Sequence, residues 1–153
     1  TNAPPVPPPP PPPYARQTFG RLQSKLFPVY FWLLSAACCV AFGTLAAATP
    51  GGAAGAAASF GGRALIAALV MSLLHALVLE PQATDNMFER YALEDKIAKA
   101  GAAQKSAEDE ARRKALGKKF GALHGGSSMA NLVALCAVVA HAWNLAGRVA
   151  LVA

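Results

Sequence analysis

Three long apolar stretches restrict this 153-residue chain to one environment. Phe27 to Ala48 and Ser127 to Gly147 contain no charged side chain, and Phe60 to Leu79 contains only Arg63, near its start. At about 1.5 Å per residue, each stretch coiled as a helix reaches roughly 30 Å, the thickness of a bilayer's hydrocarbon core. The expected fold is an all-α integral membrane protein with three transmembrane helices, about 27–48, 60–79 and 127–147. A polar helical connection, 80–124, joins the second and third.

The charge pattern supports the same layout. The connection from Glu80 to His124 holds nine Lys/Arg and eight Asp/Glu, so it is nearly neutral. The segment before the first span has Arg16, Arg21 and Lys25 and no acid, while the link around Thr49 to Ser59 has no charge at all. Two crossings return the chain to its starting side, which places the N-terminal segment and the connection on one face. The positive-inside rule makes that face cytoplasmic, stromal or matrix. The formal charge of +6 is therefore a topology signal. Aromatic residues interleaved with a basic groove, the mark of a nucleic-acid binder, are absent.

Punctuation sets the expected boundaries. Residues 1–16 form a proline-rich tail, and Pro4 to Pro13 predicts a polyproline II rod of about 30 Å that straps a neighbouring subunit. Pro28 suits the first turn of the first span, where a missing N–H is harmless. The second span is expected to end at Glu80-Pro81, because a residue before proline resists the helical region. In the connection, Asp85 to Ala100 reads as a helix, Gly101 as a break, and Ser106 with Asp109 as the cap of a further helix near 107–123. Gly125-Gly126 reads as a turn, with Ser127-Ser128 capping the third span.

The chemistry on offer is sparse. Cys38, Cys39 and Cys136 sit in the spans as small packing residues. No metalloprotease, redox or phosphate-loop motif is present, so the chain is not expected to be an enzyme. Small residues recur every fourth position: Ser35, Cys39, Gly43 and Ala47; Ala64, Ala68, Ser72 and Ala76; and Ala130, Ala134, Ala142 and Ala146, with Val138 between. Such ridges let helices approach closely in lipid.

His75 and His141 lie within spans, where an imidazole needs a partner. They are candidate axial ligands of a chlorophyll magnesium or a haem iron, or they bond a neighbouring helix. Their different depths argue against one haem held between them, and His75 is the better pigment candidate. Glu80 is the one carboxylate at a helix end.

Three blocks carry a resemblance: Thr18-Phe19-Gly20-Arg21-Leu22-Gln23-Ser24-Lys25-Leu26-Phe27-Pro28, then Leu79-Glu80-Pro81, then His124-Gly125-Gly126-Ser127-Ser128 with Asn131-Leu132. They resemble the transmembrane-protein-205-like family, a membrane domain without assigned chemistry, over about residues 17–153. That family usually has another span before the first block, where this chain has its proline-rich tail. The resemblance implies no catalytic residue. It places Gln23, Ser24, Lys25, Glu80, His124, Ser128 and Asn131 in a shared pattern. A structural network of Lys25 with Glu80, and of His124 or Asn131 with helix-end backbone, would join the three helices.

The functional expectation is a non-catalytic accessory subunit of a large organellar membrane complex. A photosynthetic assembly in the thylakoid is favoured, and a mitochondrial respiratory complex of the inner membrane comes second. Its partners would be other membrane subunits and the bilayer. The alternative is a stand-alone transporter-like or trafficking membrane protein.

Overall fold

The computed structural model describes residues 13–100 and 106–150, with side chains placed for 17–99 and 106–148. The expected proline-rich strap, apart from Pro13, and the break at Gly101 lie outside the described residues. The elements are α1 (Pro13–Ala48), a short α2 (Gly52–Ala58), α3 (Phe60–Leu74), a π-helical turn (His75–Leu79), α4 (Glu80–Ala100) and α5 (Ala107–Ala150).

The three-span, all-α membrane architecture is borne out. Gln17–Ala48, Phe60–Lys99 and Ala107–Arg148 contain windows of mean hydropathy 1.9, 2.0 and 1.6, long and apolar enough to cross a bilayer. Helices are the solution because hydrocarbon offers backbone N–H and C=O groups no partner outside their own segment. Leu33, Val40, Val70, Leu135 and Val139 are at least half exposed, as lipid-facing side chains are.

α3 is the middle of the bundle. It packs against α1 and α5, whereas α1 and α5 do not closely approach one another among the described residues. Leu65, Ala68, Ser72, His75 and Ala76 form its buried stripe, meeting Phe31, Ser35 and Cys38 of α1 and Ala130 and Ala134 of α5. The Ser35 and Ser72 hydroxyls lie 2.8 Å apart across α1 and α3. Each hydroxyl also has a carbonyl of its own helix within reach, Phe31 for Ser35 at 2.8 Å and Leu69 for Ser72 at 3.0 Å, so either can donate across the interface while the other donates within its helix. Interhelical bonds of this kind are worth about 0.6–1.7 kcal/mol in a membrane.

The small-residue ridges are used unequally. Ala68, Ser72 and Ala76 are interior, but Cys39, Gly43 and Ala47 on α1 and Ala142 and Ala146 on α5 are exposed. Four residues at about 100° each overshoot a full turn by roughly 40°, so such a ridge drifts around the helix. On α5 the contact face passes instead to Val138, His141 and Asn144, which are half-buried.

Three expected boundaries are corrected. Pro28 lies inside α1, which starts at Pro13, so the approach segment and the first span form one helix. The second helix does not stop at Glu80-Pro81. The Glu80 N–H bonds the His75 carbonyl, five residues back, and Glu80 itself stays helical at φ −66°, ψ −50°. The widened turn gives room to the proline ring, which would otherwise press on the Leu77 carbonyl. Gly125-Gly126 makes no turn, since α5 runs unbroken for 44 residues and Ser127-Ser128 cap nothing. Two helical glycines cost about 1 kcal/mol each, and packing of α5 on α4 above and on α3 below outweighs that.

A tight turn lies at the far end, where Gly51 and Gly52 take φ of 82° and 61°. On the other face, α4 and the first part of α5 form a polar two-helix arm. Arg112–Glu89 at 2.6 Å and Lys96–Asp109 at 2.8 Å clip it together. Ser106 Oγ accepts the Asp109 N–H at 3.0 Å, the expected cap. The start of α1 lies on this arm through Gln17 Nε2, which donates to Asp95 at 3.2 Å. Gly20 is approached so closely by Tyr91 and Met87 that any side chain there would force those two to shift. The N-terminal part of α1 and the connection therefore share one face of the bundle.

Candidate functional site

The gap between α1 and α5 opens into a cleft of about 350 Å³. Its lining comes from residues 20–31 of α1, 75–87 of the middle helix and 120–131 of α5. Each range straddles the point where its helix changes from polar to apolar sequence, so the cleft sits at the hydrocarbon boundary on the arm side.

The π turn builds one wall. In a regular α-helix, residues five apart lie about 140° apart around the axis. A turn closed by an i→i−5 bond takes up one extra residue, so His75 and Glu80 come round to the same side. Both line the cleft. Glu80 Oε1 accepts the Thr84 hydroxyl at 2.7 Å. His75 is only 4% exposed and stacks on Phe31, with ring centroids 4.1 Å apart and planes 17° from parallel. Its Nδ1 is buried without a hydrogen-bond partner.

α1 supplies an aromatic wall. Tyr30 meets Phe31 edge-on at 5.0 Å, and Phe27 lies 6.3 Å from Phe31. Gln23 and Ser24 add polar groups. Pro28 has no N–H to give the Ser24 carbonyl, which is left without its helical donor. α5 supplies the third wall. Phe120 and His124 stack with planes 7° from parallel, and the Arg90 guanidinium covers Phe120 at 4.9 Å. Ser127, Ser128 and Asn131 continue it toward the hydrocarbon.

The expected network is not formed among the described residues: no ion pair joins Lys25 to Glu80, and neither His124 nor Asn131 bonds helix-end backbone, although three of its members share one cleft. Glu80, His124 and Asn131 line one cleft, together with Gln23, Ser24 and Ser128 from the same pattern. Lys25 does not join them. It is exposed on α1, and among the described residues no ion pair links it to Glu80. The physical reason is the helical phase of α1, which turns Ser24 and Phe27 inward and Lys25 outward.

The two intramembrane histidines are far apart in role. His141 Nδ1 bonds the Gly61 carbonyl at 3.1 Å, tying α5 to the start of α3. A Cβ on Gly61 would come within 3.0 Å of Asn144 Oδ1 and 3.2 Å of His141 Nδ1, so a larger residue here would press on both side chains. Among the described residues no three His, Cys, Asp or Glu side chains gather as a metal site. Sequence reasoning missed Phe31, Tyr30, Thr84 and Phe120. Pro81 was the available signal for the wall they complete, since a proline within a continuing helix forces an irregular turn.

These features define a polytopic helical membrane protein with a mixed polar and aromatic cleft at its interface. The chain belongs to the family described as a domain of unknown function, DUF4149, whose model matches residues 13–92, just over half of its length. That match takes in the α1, π-turn and α4 walls of the cleft. No solved structure matches the chain.

Proposed function

We propose that the protein is a non-catalytic membrane protein that holds an amphiphile in this cleft. The supporting observation is the convergence of polar side chains from all three long helices between aromatic walls at the hydrocarbon boundary. Such a site offers hydrogen bonds to a head group and apolar contact to the first carbons of a chain. Its volume is at the lower end of ligand pockets, which suits a head group better than a macrocycle. With His75 covered on one face by Phe31 and His141 engaged with Gly61, helix packing accounts for both imidazoles more simply than chlorophyll or haem ligation. The resemblance to the transmembrane-protein-205-like family agrees with this reading, since six of its seven pattern positions line the cleft. The test is native mass spectrometry from lipid nanodiscs. The expected result is a retained lipid that Ser128→Trp, which fills the cleft, displaces. Equal retention by both proteins would remove the proposal.

A second reading is favoured by the arm: the chain is an accessory subunit of an organellar membrane complex, thylakoid before mitochondrial inner membrane, with the arm facing stroma or matrix. The clipped α4–α5 pair is a rigid polar surface suited to docking. Twelve of the fourteen basic residues fall in the N-terminal segment and the connection, which by the positive-inside rule assigns that face. Co-purification in mild detergent, with an Arg112→Glu, Lys96→Glu variant as control, tests it. Recovery of the wild-type chain alone would count against a complex.

A further inference from the structure

We infer that the cleft selects a lipid whose head group carries an ammonium, with Glu80 as its counter-ion. This rests on the amphiphile-binding reading above and adds the chemistry of the head group. Glu80 is the only acid among the cleft-lining residues, and none of them is Lys or Arg. Among the described residues no cation pairs with Glu80. Its one contact is the neutral Thr84 hydroxyl. The nearby Arg90 is engaged elsewhere, with Glu94 at 3.8 Å and with the Phe120 face. A carboxylate at the hydrocarbon boundary without a cation is costly, and a cationic ligand removes that cost.

The surrounding groups fit the same ligand. Phe27, Tyr30 and Phe31 line the cleft, and aromatic faces attract ammonium groups, alkylated ones included. The Gln23 and Asn131 side-chain amides in the lining each carry a carbonyl oxygen that can accept from an ammonium N–H. An anionic head group, by contrast, would meet Glu80 and find no Lys or Arg in the lining, where the imidazoles of His75 and His124 are already stacked on Phe31 and Phe120. The occupant is a lipid rather than a free amine because the lining crosses from polar to apolar sequence on every helix, so a chain can leave into the hydrocarbon.

The experiment is native mass spectrometry of the full chain from nanodiscs of choline or ethanolamine phospholipid mixed equally with phosphatidylglycerol. Wild type should retain the ammonium lipids at least tenfold over the anionic one. Glu80→Gln should bring the ratio near unity while the helix content by circular dichroism is unchanged. Tyr30→Leu, which leaves the carboxylate in place, should lower the ratio severalfold. A wild-type ratio near unity or below would overturn the inference, as would an undiminished ratio in Glu80→Gln. Retention that Ser128→Trp abolishes but that shows no head-group preference would overturn only this inference. Retention untouched by Ser128→Trp would overturn the amphiphile reading itself. Displacement of the lipid by millimolar choline would show that a free ammonium suffices and would overturn the assignment to a lipid.

Discussion

The two ends of the bundle use the same kind of residue to opposite effect. At the far end, His141 reaches the Gly61 carbonyl, Asn144 lies beside it, and α5 approaches α3 closely at Gly61. At the arm end, His75 is more deeply buried than His141, yet its Nδ1 has no partner, and the helices around it part to leave a cleft. The first arrangement satisfies a polar group and thereby locks two helices. The second leaves polar groups unsatisfied by the protein, which is costly to stability and useful only where something else completes them.

The contrast is breakable by mutation. The largest effect is expected at the locked end. Gly61→Leu drives a side chain into Asn144 and His141 and should cost about 2–3 kcal/mol, in the range of overpacked cores. Thermal unfolding in detergent measures it, and a wild-type midpoint would show that the far end is not close-packed.

Pro81→Ala comes next. Without the proline ring the π turn can revert to a regular α-helix, which sets Glu80 about 140° around the axis from His75. Ligand retention should fall about tenfold, with thermal stability equal to or above wild type. Loss of both together would mean that the turn is structural rather than functional.

The histidines themselves give the sharpest comparison. His141→Leu breaks a made bond and should destabilise by about 1 kcal/mol. Asn86→Leu removes a buried amide whose Nδ2 and Oδ1 have no partner and should be neutral or stabilising, by up to about 1 kcal/mol. His75→Leu, which gives up the Phe31 stack together with an unpartnered Nδ1, should cost less than His141→Leu. Equal costs at His75 and His141 would erase the distinction between the two ends.

The smallest effect is in the arm. The Lys96 ammonium bonded to Asp109 holds that carboxyl below the usual aspartate range, helped by Ser106 and Arg112. A depressed folded pKa contributes stability that is present above the ordinary aspartate value and lost as pH falls through the folded one. Amide exchange around the 96–109 clip should therefore quicken in that acid window, and Lys96→Gln should remove the pH dependence. Because both groups are at the surface, salt should mask the effect.

The sequence by itself determined what depends on composition along the chain. Apolar length specified three spans, because a bilayer tests length and hydropathy and little else. The lack of charge between Thr49 and Ser59, against the many basic residues elsewhere, placed two segments on one face. Ser106 declared its cap because a capping hydroxyl acts within three residues. Glu80, His124 and Asn131 were singled out as helix-end polar residues that could meet. The tertiary structure alone decided what depends on phase and on the balance between local preference and packing. Lys25 and Ser24 are neighbours in sequence, but only the docking of α1 on α3 decides which one faces the cleft. Gly125-Gly126 and Glu80-Pro81 favour breaks locally, and continuous contacts along α5 and a single π turn before α4 override them. Those two overrides carry α4 and α5 beyond the spans as an arm. The π turn also brings His75 and Glu80, five residues apart, onto one wall, because its extra residue changes the helical phase by an amount no pattern of residue types records.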